Sequence, residues 1–200
     1  MNRTTPLRVK IDLTFFIIQT FCILGLLLIR NYDYMKSAIT DPIFWLIYVI
    51  LEYKQKWIIP IYVRIVVVIS MTTNDFLGEL FNLYVTSVLF DRVQHIFGTY
   101  SMTLWSFFII QQFAKTKILH KKLIVILFIL LSTSLGALYE IFEFIQDIVF
   151  KPKIKNQPSL LDTDLDLISD LSGGIIALCH FLLSRRLRTF IGHIKSPIKI

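Results

Sequence analysis

Apolar runs long enough to cross a bilayer recur along most of the chain, and no other feature constrains the fold as strongly. A helix rises 1.5 Å per residue, so about 20 apolar residues are needed to cross a hydrocarbon core of ~30 Å. Residues 11–29 make one such run, and others lie at 95–113, 122–145 and 167–184. Two shorter runs, 42–53 and 57–71, are divided by Glu52, Lys54, Gln55 and Lys56. Taken as separate spans they bring the total to about six, within a range of five to seven. One long bent helix or a re-entrant pair over 42–71 is the alternative, with Pro60 as the kink. The polar stretch Arg30 to Asp41 reads as a turn closed by Asp41-Pro42, a usual helix start. Residues 77–91 read as a short interfacial helix.

Composition decides between spans tethered to a soluble domain and a chain that is membrane-embedded throughout. Hydrophobic residues make up 55% of the sequence and charged residues 18%, against about 45–50% and 25% in soluble domains. A mean hydropathy of +0.66 over all 200 residues leaves no room for a sizeable soluble part. The expectation is one integral membrane domain over 1–200: all-α, a polytopic transmembrane helical bundle. Arg3, Arg8 and Lys10 precede the first run as in a signal peptide, but no small-residue cleavage site follows, so it reads as a retained span. Cys22 and Cys179 each lie inside an apolar run and read as packing residues.

The net charge of +7 has a membrane explanation. With both termini inside, fourteen of the 21 Lys and Arg residues fall on inner segments, five on outer ones, and Arg64 and Arg92 lie in or beside spans. That bias follows the positive-inside rule. The outer trio Lys151, Lys153 and Lys155 runs against it. No solvated segment interleaves basic and aromatic residues, so the partner is the lipid bilayer and nucleic acid is not expected.

Ionisable groups inside spans are costly and mark function by default. Asp91 and His95 are four apart and share a helix face, as an oriented imidazole or a metal-binding pair requires. Glu140 and Glu143, three apart, sit among Leu138, Ile141, Phe142, Phe144 and Ile145. Two carboxylates there repel each other unless a cation lies between them. Asp162, Asp164, Asp166 and Asp170 lead into the last span, with Asp166 and Asp170 on one face. An EF-hand is excluded, because its loop Gly and terminal Glu are lacking. Gly173 and Gly174 follow and favour close helix packing. With alternating spans, all three sets fall at one outer depth. Arg64 is then a candidate counter-charge.

These motifs, in this order, resemble the YjdF-like family of bacterial inner-membrane proteins. The resemblance rests on Asp91/Arg92/His95, then Tyr139/Glu140/Glu143, then Asp166/Asp170 with Gly173 and Gly174, and covers about 77–180. A looser likeness extends to VanZ-like membrane proteins. The resemblance implies a multi-pass protein of the bacterial plasma membrane and supplies no reaction.

Three functions fit the residues. The first is a metal-dependent enzyme on lipid or envelope substrates. A divalent cation would be held by His95, Asp91, Glu140, Glu143, Asp166 and Asp170, and catalysis sought among Asp91, His95, Glu140 and Glu143. The second is a cation- or proton-coupled transporter or ion-binding protein. In the third, a non-catalytic membrane component, the same network only rigidifies the bundle.

Overall fold

The computed structural model describes residues 6–87, 89–114, 120–192 and 194, and among these the chain is helical without strands. Eight α-helices follow one another: α1 Pro6–Leu28, α2 Tyr32–Gln55, α3 Ile61–Thr73, α4 Leu83–Thr86, α5 Phe90–Phe113, α6 Lys121–Phe150, α7 Leu160–Leu183 and α8 Arg185–Ile191. A π-helical segment, Asn74–Leu80, continues α3 directly. Five segments are long and apolar enough to cross a membrane: α1, α2, α3 with its π extension, α6 and α7. With α5, whose 24 residues match them in length, the bundle has the six long segments expected.

Helix α5 falls short on hydropathy because of where it sits. It packs on α3, α6 and α7 and buries His95, Thr99, Ser101, Thr103 and Gln111 along with its apolar residues. A central helix faces protein, so polar side chains on it meet partners instead of lipid. The outer helices show the converse. The apolar windows of α1 and α2 are only 22% and 18% buried, against 50% for α3 with its extension and 44% for α7. Their exposed Leu, Ile and Phe side chains make the lipid-facing belt.

Several boundaries differ from the sequence reading. Helix α2 begins at Tyr32, not at Pro42, because the Asn31 side chain caps it by accepting from the Tyr34 N–H at 3.4 Å. Pro42 is carried inside the helix. The expected short span 42–53 is thus the second half of a full-length helix, and its polar first half was read as a turn. Lys56, at φ 58°, closes α2, and Pro60 precedes α3, so 42–71 is broken there instead of bending. Over 77–91 there is no single interfacial helix. The π-segment, the four residues of α4 and the start of α5 share that stretch.

Glycines set the closest helix contacts. A Cβ on Gly173 would collide with the Ile96 carbonyl of α5, and one on Gly174 with Ser132 of α6. Helix α7 is thereby seated against both neighbours. Below it, Leu104, Phe107, Phe108, Phe128 and Phe181 form a fully buried aromatic-rich core.

Candidate metal centre

The close seating of α7 on α5 brings the histidine motif against the aspartate run. His95 is 7% exposed. Its Nδ1 lies 3.2 Å from Asp170 Oδ1, and its Nε2 lies 3.4 Å from Asp166 Oδ1 and 3.6 Å from Asp91 Oδ1. A neutral imidazole carries one N–H, so carboxylates at both nitrogens call for an imidazolium or for a cation held with the ring. Thr99, one turn further along α5, donates to Asp170 Oδ1.

Arg92 supplies the positive charge that bridges the two helices. It pairs with Asp162 and Asp166 of α7 and, at 3.2 Å, with its neighbour Asp91. Arg64, expected as the counter-charge, is elsewhere. It sits at the start of α3, at the opposite end of that helix, and binds Asp12 at 2.7 Å and Glu52 at 2.7 Å. The expectation failed because depth along a span was inferred from a span too short to define it.

Helix α6 adds Glu140, 5% exposed. Gln157, from the loop between α6 and α7, donates to Glu140 Oε2 at 2.6 Å and to the Glu140 carbonyl at 2.8 Å. The other oxygen, Oε1, has no hydrogen-bond partner, and neither has Asp170 Oδ2. Gly136 makes room for Asp170, since a Cβ there would collide with Oδ2. Buried carboxylate oxygens are rarely left unpaired.

Two groups of ligand atoms lie within 4.8 Å of one another: Asp91, His95 and Asp166, and His95, Glu140 and Asp170. His95 belongs to both. Five of the six expected ligands are therefore gathered, from three helices. Glu143 stands outside both groups, half-buried, in electrostatic contact with His95, Glu140, Asp91 and Asp166. Asp164 points to the exposed side of α7. Sequence reasoning missed the bridging role of Arg92 and the contributions of Thr99 and Gln157. Arg92 could have been found, since it falls between Asp91 and His95, whereas nothing in a loop glutamine announces its partner.

A cavity of about 270 Å³ has His95 in its wall. Its lining mixes polar side chains, among them Asp170, Thr99, Gln94 and Asn74, with the apolar Phe44, Met71, Met102 and Leu135. The Tyr139 ring lies edge-on to the imidazole at 5.5 Å.

A family of predicted membrane proteins, DUF2238, matches residues 13–187. The chain belongs to this family. No curated protein and no solved structure matches. Membership makes the chain a membrane protein of an uncharacterised family, and the matched region takes in every residue of the centre around His95.

Proposed function

We propose that this DUF2238 member is a membrane-embedded, metal-dependent enzyme acting on an amphiphilic lipid or envelope precursor, with its centre near the outer face of a bacterial plasma membrane. One observation carries the reading: a buried histidine flanked by carboxylates at both ring nitrogens, with two unpaired buried oxygens, Glu140 Oε1 and Asp170 Oδ2, in its own ligand group. One imidazole with several carboxylates suits Mn²⁺, Zn²⁺ or Mg²⁺. The ion would polarise a phosphoryl or acyl oxygen of a substrate lying in the adjoining cavity. Glu143, near the centre but outside its ligand groups, is the candidate general base. The cavity, lined by both polar and apolar side chains, suits an amphiphilic substrate. The YjdF-like and VanZ-like likenesses belong to this reading, as does the orientation with both termini inside.

The test is metal content. Protein purified in detergent without chelator should carry a transition metal or Mg²⁺, lost in His95→Ala and Asp170→Asn and kept in Glu143→Gln. Intact protein with no metal above background ends the enzyme reading.

One observation favours a second reading, a cation- or proton-coupled transporter. Deeper in the bundle Tyr62, Tyr100 and His180 form a hydrogen-bonded chain, Oη to Oη at 2.5 Å and Tyr100 Oη to His180 Nδ1 at 2.6 Å. Such a chain can pass a proton toward mid-membrane. Proton uptake by proteoliposomes that disappears in Tyr100→Phe, with activity on lipids absent, would select it.

A further inference from the structure

Basic residues that run against the charge bias have a definite place in the structure. The turn between α1 and α2 meets the loop between α6 and α7 at one end of the bundle, where the Lys153 N–H donates to Asp33 Oδ2 at 3.4 Å. Between them lies a cavity of about 470 Å³, distinct from the one at His95. Its size falls within the ~300–1,000 Å³ of small-molecule sites.

Arg30 enters the wall of this cavity from the turn and Lys153 from the loop. Both are exposed, and among the described residues neither forms a salt bridge. Two cations brought to one cavity from remote segments suit an anion, and phosphate is the anion that a bilayer surface offers.

The same wall also carries acids, Asp33 from α2 and Glu79 from the π-segment. Glu79 is 4% exposed. Ser37 hydrogen-bonds to its carboxylate, and its Oε2 has no partner. A buried carboxylate oxygen on a cavity wall is costly until a donor reaches it. The cavity's apolar lining belongs to the lipid-facing belt, since Ile29, Phe150 and Ile154 are each half exposed or more.

We propose that this cavity binds the headgroup of a zwitterionic phospholipid. Arg30 and Lys153 take the phosphate, Glu79 and Asp33 take the ammonium, and the acyl chains leave over Ile29, Phe150 and Ile154. Cations alone would select an anionic lipid, whereas the two carboxylates penalise a headgroup that brings no positive charge to them. The site goes beyond the enzyme reading and does not depend on it. Only the leaflet that supplies the lipid rests on the orientation proposed above.

The experiment is native mass spectrometry of the full chain in neutral detergent. It is titrated in turn with phosphatidylethanolamine, phosphatidylglycerol, diacylglycerol and soluble glycerophosphoethanolamine. The wild type should take up phosphatidylethanolamine saturably and phosphatidylglycerol several-fold more weakly. Diacylglycerol and the soluble headgroup should bind only at far higher concentration. Arg30→Asn combined with Lys153→Gln should weaken both phospholipids by about tenfold or more. Asparagine tolerates the φ of 58° at position 30. Glu79→Gln should instead remove the preference for phosphatidylethanolamine over phosphatidylglycerol, and Asp33→Asn is read the same way if Glu79→Gln does not fold. Lys155→Gln, an equal loss of charge in the same loop but outside the cavity wall, should change nothing. Nor should His95→Ala. Monodispersity and a thermal melt verify that each variant is folded. Phosphatidylglycerol, diacylglycerol or the soluble headgroup binding as tightly as phosphatidylethanolamine overturns the proposal. So does a folded double variant that binds like the wild type, or a Lys155→Gln variant that loses as much as the double variant.

Discussion

Two charged regions of the bundle use the same residue types to opposite effect. At one end, two arginines meet two carboxylates. Arg64 grips Asp12 through both Nε and Nη2, at 2.9 and 2.7 Å, and reaches Glu52 at 2.7 Å. Arg8 binds Glu52 at 2.8 Å and the Ile59 carbonyl. Tyr48 and Trp45 each donate at 3.0 Å, to Glu52 and Asp12, and both rings lie under the Arg64 guanidinium. Every carboxylate oxygen there is used. Around His95, by contrast, five carboxylates meet Arg92 and one histidine, and two buried oxygens are unused. Balanced and saturated charge ties α1, α2 and α3 together. Unbalanced charge is poorly suited to holding helices and well suited to holding a cation.

The comparison can be broken most directly at Arg64. Arg64→Ala should strand Asp12 and Glu52 without their main partner. It should cost about 3–5 kcal/mol, the range for halving a buried pair, read as a collapse of the thermal melt in detergent. A melt within a degree or two of wild type would mean that the network is not structural. Next in size is Gly173→Ala, which pushes a methyl against the Ile96 carbonyl. Overpacking of this kind costs roughly 1–3 kcal/mol and should also lower metal occupancy, because it moves α5 from α7. Gly98→Ala is the control, since its nearest neighbour, Ser70 Oγ, would be at 3.6 Å.

Smaller still in stability is Asp170→Asn. It removes one charge from a crowded set, so folding stability should hold or rise slightly while bound metal is lost. Stability falling as far as in Arg64→Ala would make the His95 centre a second structural clamp. The last prediction reads position instead of energy. In a background without Cys22 and Cys179, a cysteine at Ser159 should label from outside and one at Lys121 only after permeabilisation. Both positions are exposed and lie at opposite ends of the bundle. The reverse pattern would place the His95 centre on the inner face.

Each part of the molecule was legible in sequence to the degree that its physics is local. The spans of α1, α6 and α7 follow from long, predominantly apolar runs, because the bilayer acts on each residue separately. The three polar sets follow from charge in apolar surroundings and from helical spacing. The first half of α2 and the π-segment were not legible. An N-cap at Asn31 overrode an Asp-Pro signal, and the π-segment lies against α1 and α2, neighbours that no local pattern announces. Asp12 drew no notice in the sequence and Glu52 served only to divide two apolar runs, since their partner Arg64 is 52 and 12 positions from them in the chain.

The sequence alone determined that this chain is a multi-span helical membrane protein with acids and one histidine at a shared depth. Only the tertiary structure decided which charges meet. It gave Arg92, not Arg64, to the aspartates, set His95 between Asp166 and Asp170, and kept Glu143 out of the ligand groups. Hydropathy and helical period fix a residue's depth and face, whereas the rotation of one helix against another is fixed by close contacts such as Gly173 on Ile96.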